Sequence, residues 1–281
     1  MPRPIFTRPC LIGVVHLGPL PGAPRWSAGE RAESADSTRT AAWPLERVLA
    51  AAVRDARALT ANGCDALVVE NFGDVPFHPT NVPSETIAAM ALAVRAVIEI
   101  APRIPVGVNV LRNDARAALG ICAATGASFV RVNVHAGAAV TDQGIVEGRA
   151  FETLRERARL APGVAILADA HVKHATPLSR ETLAESVADL VHRALCDGVI
   201  VSGSATGRPP DAERVRAARS AAGDVPVWIG SGLDERNAAT LMEHATGAIV
   251  GTSLKEDGRV ENPVDPARVR RLRALFDVLA R

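Results

Sequence analysis

Val-Pro-Val-Trp-Ile-Gly-Ser-Gly at 225–232 and Gly-Ala-Ile-Val-Gly-Thr-Ser-Leu-Lys at 247–255 are the two stretches that decide the fold. Each is a short apolar run ending in a turn of glycines and hydroxyls, and an amphipathic helix fits between them. In a (β/α)8 barrel the loops after the seventh and eighth strands form the usual phosphate site. Gly230, Gly232 and Gly251 would expose backbone N–H groups there, and Ser231, Thr252 and Ser253 add hydroxyl donors. A following helix N-terminus favours an anion. One such turn is an ordinary βα connection that needs glycine for tight geometry. Two in succession, closing a chain that counts out as eight units, predict a bound phosphate.

The count runs outward from that stretch. Apolar bursts at 11–16, 66–70, 106–110, 129–134, 164–170, 198–202, 227–230 and 248–251 read as strands, rich in Val and Ile as parallel strands covered by helices are. Helical periodicity fills the intervals. Leu45, Val48, Leu49, Ala52, Val53, Ala56 and Leu59 mark one apolar face, and Gly63 closes that helix. Asn113, Ser179 and Asp234 stand where N-caps are wanted, and Asp265 precedes a proline at the first helical position. Eight βα units with one composition regime predict a single α/β domain over 1–281, a closed (β/α)8 TIM barrel. A doubly wound open sheet is the alternative. Two connections are long, 17–44 after the first strand and 71–83 after the second, and both fall on the face where barrel active sites lie. The apolar part, 17–24, is expected to pack; 27–40 reads as solvated.

A chain of 281 residues, 48% hydrophobic, suits one large domain. Its net charge of +1 argues against a nucleic-acid or acidic-membrane surface. No apolar run approaches the roughly 20 residues of a membrane span, and the proline-rich start lacks the core of a signal peptide, so a cytoplasmic location is expected. Cys10, Cys64, Cys122 and Cys196 are isolated and read as buried thiols, neither disulfides nor zinc ligands. No helix advertises a partner face, although such barrels often form homo-oligomers.

Strand periodicity then sorts the polar residues. In the fourth strand Arg131, Asn133 and His135 alternate with Val130, Val132 and Val134. Side chains two apart share a face, and the valines belong outside against the helices, so the polar set should point inward. By the same rule Asp169 and His171 on the fifth strand, Asn109 on the third, Glu70 on the second, His16 on the first and Ser202 on the sixth face the interior. Unpartnered, each would cost several kcal/mol (roughly 2–7), so they must bind one another, water or a ligand. Arg131 and Asp169 are expected to form an ion pair. Glu70, Asp169 and His171 sit at strand ends beneath open loops, the place for proton transfer. Lys173, in Asp-Ala-His-Val-Lys-His, would neutralise a phosphate, form a Schiff base if desolvated, or simply stand in water. The types present in His16, Glu70, Asp169 and His171 would also suit one divalent ion, though no spacing specifies it. No other cofactor is indicated. Ser204, in the Gly-Ser loop after the sixth strand, is a further ligand-binding candidate on what reads as a lid.

These motifs resemble those of the BtpA/SgcQ family. They are Gly-Val-Val-His-Leu-Gly-Pro-Leu-Pro-Gly from 13, Asp-Ala-Leu-Val-Val-Glu-Asn-Phe-Gly-Asp from 65, Pro-Val-Gly-Val-Asn-Val-Leu-Arg-Asn-Asp from 105 and Phe-Val-Arg-Val-Asn-Val-His from 129. His-Val-Lys-His-Ala from 171 and Gly-Val-Ile-Val-Ser-Gly-Ser-Ala-Thr-Gly from 198 complete the set. Asp-Ala-His at 169–171 departs from the family's usual Asp-Val-His. The resemblance covers the chain from Cys10 to its last helix and implies a barrel of the ribulose-phosphate-binding type. Its cyanobacterial members look like factors for photosystem I biogenesis. Two functions follow. The first is an enzyme acting on a phosphorylated sugar or nucleoside-like compound, in which Asp169→Asn abolishes turnover and leaves folding intact. The second is an assembly factor for a membrane complex, which needs an exposed apolar patch around 17–24.

Overall fold

The computed structural model describes residues 9–26, 44–203 and 207–280. In chain order it contains β1 (Cys10–His16), α1 (Pro44–Ala61), β2 (Ala66–Glu70), α2 (Ser84–Ile100), β3 (Val106–Asn109), α3 (Ala115–Thr125), β4 (Phe129–Val132), β5 (Ala138–Thr141) and β6 (Gly144–Glu147). There follow α4 (Ala150–Leu160), β7 (Ala165–Ala170), β8 (Ala175–Pro177), α5 (Leu183–His192), β9 (Gly198–Val201), α6 (Ala212–Ala222), β10 (Val227–Ile229), α7 (Ala238–Met242), β11 (Gly247–Val250) and α8 (Pro266–Leu279). β1, β11, β10, β9, β7, β4, β3 and β2 close in that order into a parallel barrel. All eight anticipated strands form it.

β5, β6 and β8 were not anticipated. They build a separate three-stranded antiparallel sheet from the connections after β4 and β7. Val134, Ala139, Val146 and Val172 pack as its own small core. That sheet breaks the predicted alternation. β4 stops at Val132, and His135, expected inside the barrel, instead hydrogen-bonds through Nε2 to the Ala194 carbonyl at 3.0 Å, beyond the end of α5.

The outward faces of the strands and the inner faces of the helices form the larger apolar core, which includes Ala52, Ala56 and Leu59 of α1. Gly63 takes φ 102° after α1, as a C-terminal glycine should. Asp265 caps α8 as expected, accepting from the Ala267 N–H at 2.7 Å. The other three caps shift. Asp114 caps α3, while Asn113 ties down both backbone groups of Val134. Thr182 caps α5 in a reciprocal box with Glu185, and Asn237 holds the cap position of α7. Local preference allows any of these polar residues; the incoming strand direction selects among them.

A second core fills the lower barrel, where Cys10, Ile12, Val68, Phe129, Leu167, Ile200, Trp228 and Ile249 meet. Gly247 makes room for the Trp228 ring, which a Cβ there would strike. All four cysteines are free and buried. Leu17 and Leu20 are buried too, so the 17–24 segment packs inward, and its leucines offer no exposed apolar patch. Residues 27–40 lie outside the described residues.

Candidate functional site

Above the apolar layer, every strand carries a polar residue or a glycine at its upper inward position. His16, Glu70 and Asn109 stand in one row across β1, β2 and β3. Asn109 donates to Glu70 Oε2 at 2.6 Å. Across the barrel, Arg131 grips Asp169 with two hydrogen bonds of 2.8 Å, from Nε to Oδ2 and from Nη2 to Oδ1. Asn133 and Ser202 add 3.2 and 3.3 Å bonds to the same carboxylate. The expected ion pair is therefore present, and its acid is saturated. Asp169 has no side-chain exposure, so it holds Arg131 rather than meeting a substrate.

Glycine replaces polar side chains where β10 and β11 end, and that opens the space. A Cβ at Gly251 would lie 2.5 Å from the His16 ring, and one at Gly230 would press on Ser202 and Ile200. The resulting cavity measures about 450 Å³. One wall is His16, Glu70, Arg131 and Lys173; the other is the pair of turns at 230–232 and 251–253. Gly232 turns at φ 71° against the backbone of Arg208 and Pro209, a conformation that only glycine adopts without strain. Ser231 Oγ donates to the Arg208 carbonyl at 3.1 Å and Ser253 Oγ to the Leu233 carbonyl at 2.7 Å. Among the described residues, the N–H groups of Thr252 and Ser253 find no partner, as at any helix start.

Charge is distributed unevenly in this cavity. Burial pushes the Glu70 carboxyl up, but Lys173, His16, Arg131 and the Asn109 bond together hold it below its usual range, so it is a carboxylate at neutral pH. Burial lowers the Lys173 amine, with Arg131 pushing the same way against Glu70 and Asp169. Burial also lowers His16 to about 4, so its ring is neutral, and its edge meets Phe72 with centroids 4.9 Å apart. The cavity thus pairs an ionised acid with an amine biased toward its neutral form.

His171 does not join this group. It adopts φ 50°, and its Nε2 lies 3.8 Å from Glu181, away from the cavity. With Asp169 saturated and His171 turned away, the four residue types suited to a divalent ion do not converge. No cluster of three metal-ligating side chains occurs among the described residues. Ser204 lies outside those residues. Ser202, Asn109 and Asn133 reach the site only through Asp169 and Glu70.

Sequence reasoning missed two contributors. Arg112 is buried and donates from Nη2 to the Lys173 carbonyl at 2.7 Å, fixing the backbone that carries the amine. An arginine three residues past Asn109, just beyond the end of β3, was the available signal. Lys255, just past the second turn, is buried against Asp55 of α1 at 2.5 Å. That pair anchors the 251–255 segment to the helix layer.

Known proteins share the fold that carries this site. Solved barrels share the fold at low identity: phosphoribosylanthranilate isomerase of Pyrococcus furiosus superposes with a TM-score of 0.57 at 13% identity, covering 96% of this chain and 99% of that one. Tryptophan synthase of M. tuberculosis gives 0.54 at 21% identity, over 98% and 92%. Among sequence relatives, the photosystem I biogenesis protein BtpA of Synechocystis is 46% identical over 92% of this chain and 85% of its own. An uncharacterized protein of Thermococcus kodakarensis is 44% identical over 95% of each. A mitochondrial uncharacterized protein of Caenorhabditis elegans is 30% identical over 98% of this chain and 95% of its own. The BtpA family profile matches residues 7–277, and on that span this chain belongs to the BtpA family.

Proposed function

We propose that this protein is an enzyme acting on a phosphorylated small molecule, a sugar phosphate or nucleoside-like compound, by proton transfer at the top of the barrel. The observation that carries the reading is one cavity of about 450 Å³ that joins two glycine-hydroxyl turns to a buried acid and a half-buried amine. The turns at 230–232 and 251–253 hold the phosphate through backbone N–H groups and the Thr252 hydroxyl, while Ser231 and Ser253 fix the turns through their bonds to the Arg208 and Leu233 carbonyls. Glu70, ionised and oriented by Asn109, takes and returns the proton. Arg131, locked by Asp169, supplies a fixed positive charge where negative charge develops, and such a preorganised charge needs no rearrangement during reaction. Lys173 faces Glu70 as the second titrating group. His171 stays at the rim and takes part only through loop movement.

The assembly reading calls for an exposed apolar patch around 17–24, and Leu17 and Leu20 are instead buried in the core. The photosystem name belongs to the Synechocystis relative, and the archaeal and nematode relatives carry none.

The test is thermal unfolding with inorganic phosphate, ribose 5-phosphate and glycerol 3-phosphate. A ligand at a hundred times its dissociation constant stabilises by about 2.7 kcal/mol. The expected result is a rise in Tm that disappears in Ser231→Asp, where a carboxylate repels the anion. No rise with any of the three in the parent protein would overturn the phosphate site.

A further inference from the structure

Of the 32 Lys and Arg residues in this chain only two are lysines, Lys173 and Lys255. Wherever a positive charge alone is needed the chain uses arginine, including every surface ion pair formed by a Lys or Arg side chain among the described residues. A primary amine differs from a guanidinium in one chemical respect: it can lose its proton and attack carbon. Lys255 spends its amine on the buried pair with Asp55. Lys173 lines the cavity with no hydrogen bond or ion pair to its amine among the described residues. The carboxylate nearest in kind, Glu70, is bound to Asn109 instead. Arg112 clamps the Lys173 carbonyl, fixing the main chain from which the side chain reaches the cavity.

We propose that Lys173 is a nucleophile that forms an imine with the carbonyl carbon of a phosphorylated aldehyde or ketone. This rests on the phosphate reading above and names the reacting group. The neutral amine bonds to the carbonyl carbon, and its nitrogen gives up a proton to Glu70. Glu70 returns that proton to the oxygen, giving the carbinolamine hydroxyl, then carries the nitrogen's second proton to the same oxygen, which leaves as water as the C=N bond forms. Protonated, the imine withdraws electrons from the adjacent carbon, and Glu70 is then free to remove a proton there. Burial and the neighbouring Arg131 favour the neutral amine that the first step requires.

The experiment uses the full chain with pyridoxal 5′-phosphate, glyceraldehyde 3-phosphate and dihydroxyacetone phosphate, each followed by borohydride reduction, intact mass and peptide mapping. The expected result is one reduced adduct per chain on Lys173, absent from Lys173→Arg. It should form about ten-fold faster with pyridoxal 5′-phosphate than with pyridoxal, because the bound phosphate holds the aldehyde at the amine. Glu70→Gln should slow its formation without preventing the phosphate-induced rise in Tm. Absence of the adduct with all three probes, in protein that phosphate still stabilises, would overturn the imine and leave the phosphate site standing. Labelling shared with Lys255, or equal with pyridoxal, would also overturn it. Neither adduct nor stabilisation would remove both readings together.

Discussion

At the residue scale, the two acids facing the barrel interior have opposite duties, and their partners decide which. Glu70 accepts one side-chain hydrogen bond and opens to the cavity; Asp169 accepts four and does not. Asp169→Asn is therefore not a clean catalytic probe, contrary to the expectation from the sequence. It leaves the Arg131 guanidinium buried without its counter-charge, and breaking one side of a buried pair costs about 3–5 kcal/mol. Urea unfolding should report that loss; a variant as stable as the parent would refute the structural role. The buried histidines make a pH prediction. His16 and His135 both fall from the ordinary histidine value of 6.5 to about 4, chiefly through burial. Between those pH values the unfolded chain binds more protons than the folded one, so stability falls as pH drops from 6.5 toward 4 and is constant above. Each histidine accounts for about 3 kcal/mol at most over that interval. His135→Gln keeps a donor for the Ala194 carbonyl and should remove part of the acid slope, as measured by unfolding free energy at successive pH values. The pattern of alternate residues located Glu70, Arg131 and Asp169, but no one-dimensional pattern says which acid is saturated.

At the element scale, the turns after β10 and β11 were legible because their chemistry is local: glycine and hydroxyl residues must sit where a strand stops. Gly232→Ala tests that. Its φ of 71° and the Arg208–Pro209 backbone leave no place for a methyl group, so the turn must move. Expected is a lower Tm together with loss of the phosphate-induced rise. Gly126→Ala is the control, with φ 87° in the left-handed region but open space around it. It should cost about 1–2 kcal/mol of backbone strain and keep the phosphate response. The sheet of β5, β6 and β8 was not legible. Its strands are three or four residues long, and β8 pairs with β5 across an intervening helix and barrel strand. Such short runs carry too little periodicity to distinguish a strand from a loop. His135 was misplaced for the same reason, because the chain leaves β4 to enter that sheet.

At the scale of the whole molecule, the barrel divides into a dry lower half and a charged upper half, and the lower one holds the upper in register. Trp228 fills the lower half with no exposure, seated on Gly247 and Gly198. Trp228→Ala should destabilise by about 3–5 kcal/mol, read by guanidinium unfolding, since the surrounding strands cannot collapse into the void. It should also weaken phosphate binding, because Trp228 stands two residues before Gly230 on the same inward face. The sequence by itself determined the eight strands, the layer of polar residues above an apolar one and the two turns, because hydrophobic periodicity and glycine chemistry act over a few residues. Only the tertiary structure decided that Lys173 stands in the cavity with no partner for its amine among the described residues, while Lys255 is neutralised by Asp55, a residue 200 positions away. It likewise decided that Asp169 serves Arg131 and that His171 faces Glu181. Such pairings depend on which side chains meet when the barrel closes, and closure brings together residues whose separation along the chain carries no trace of their contact.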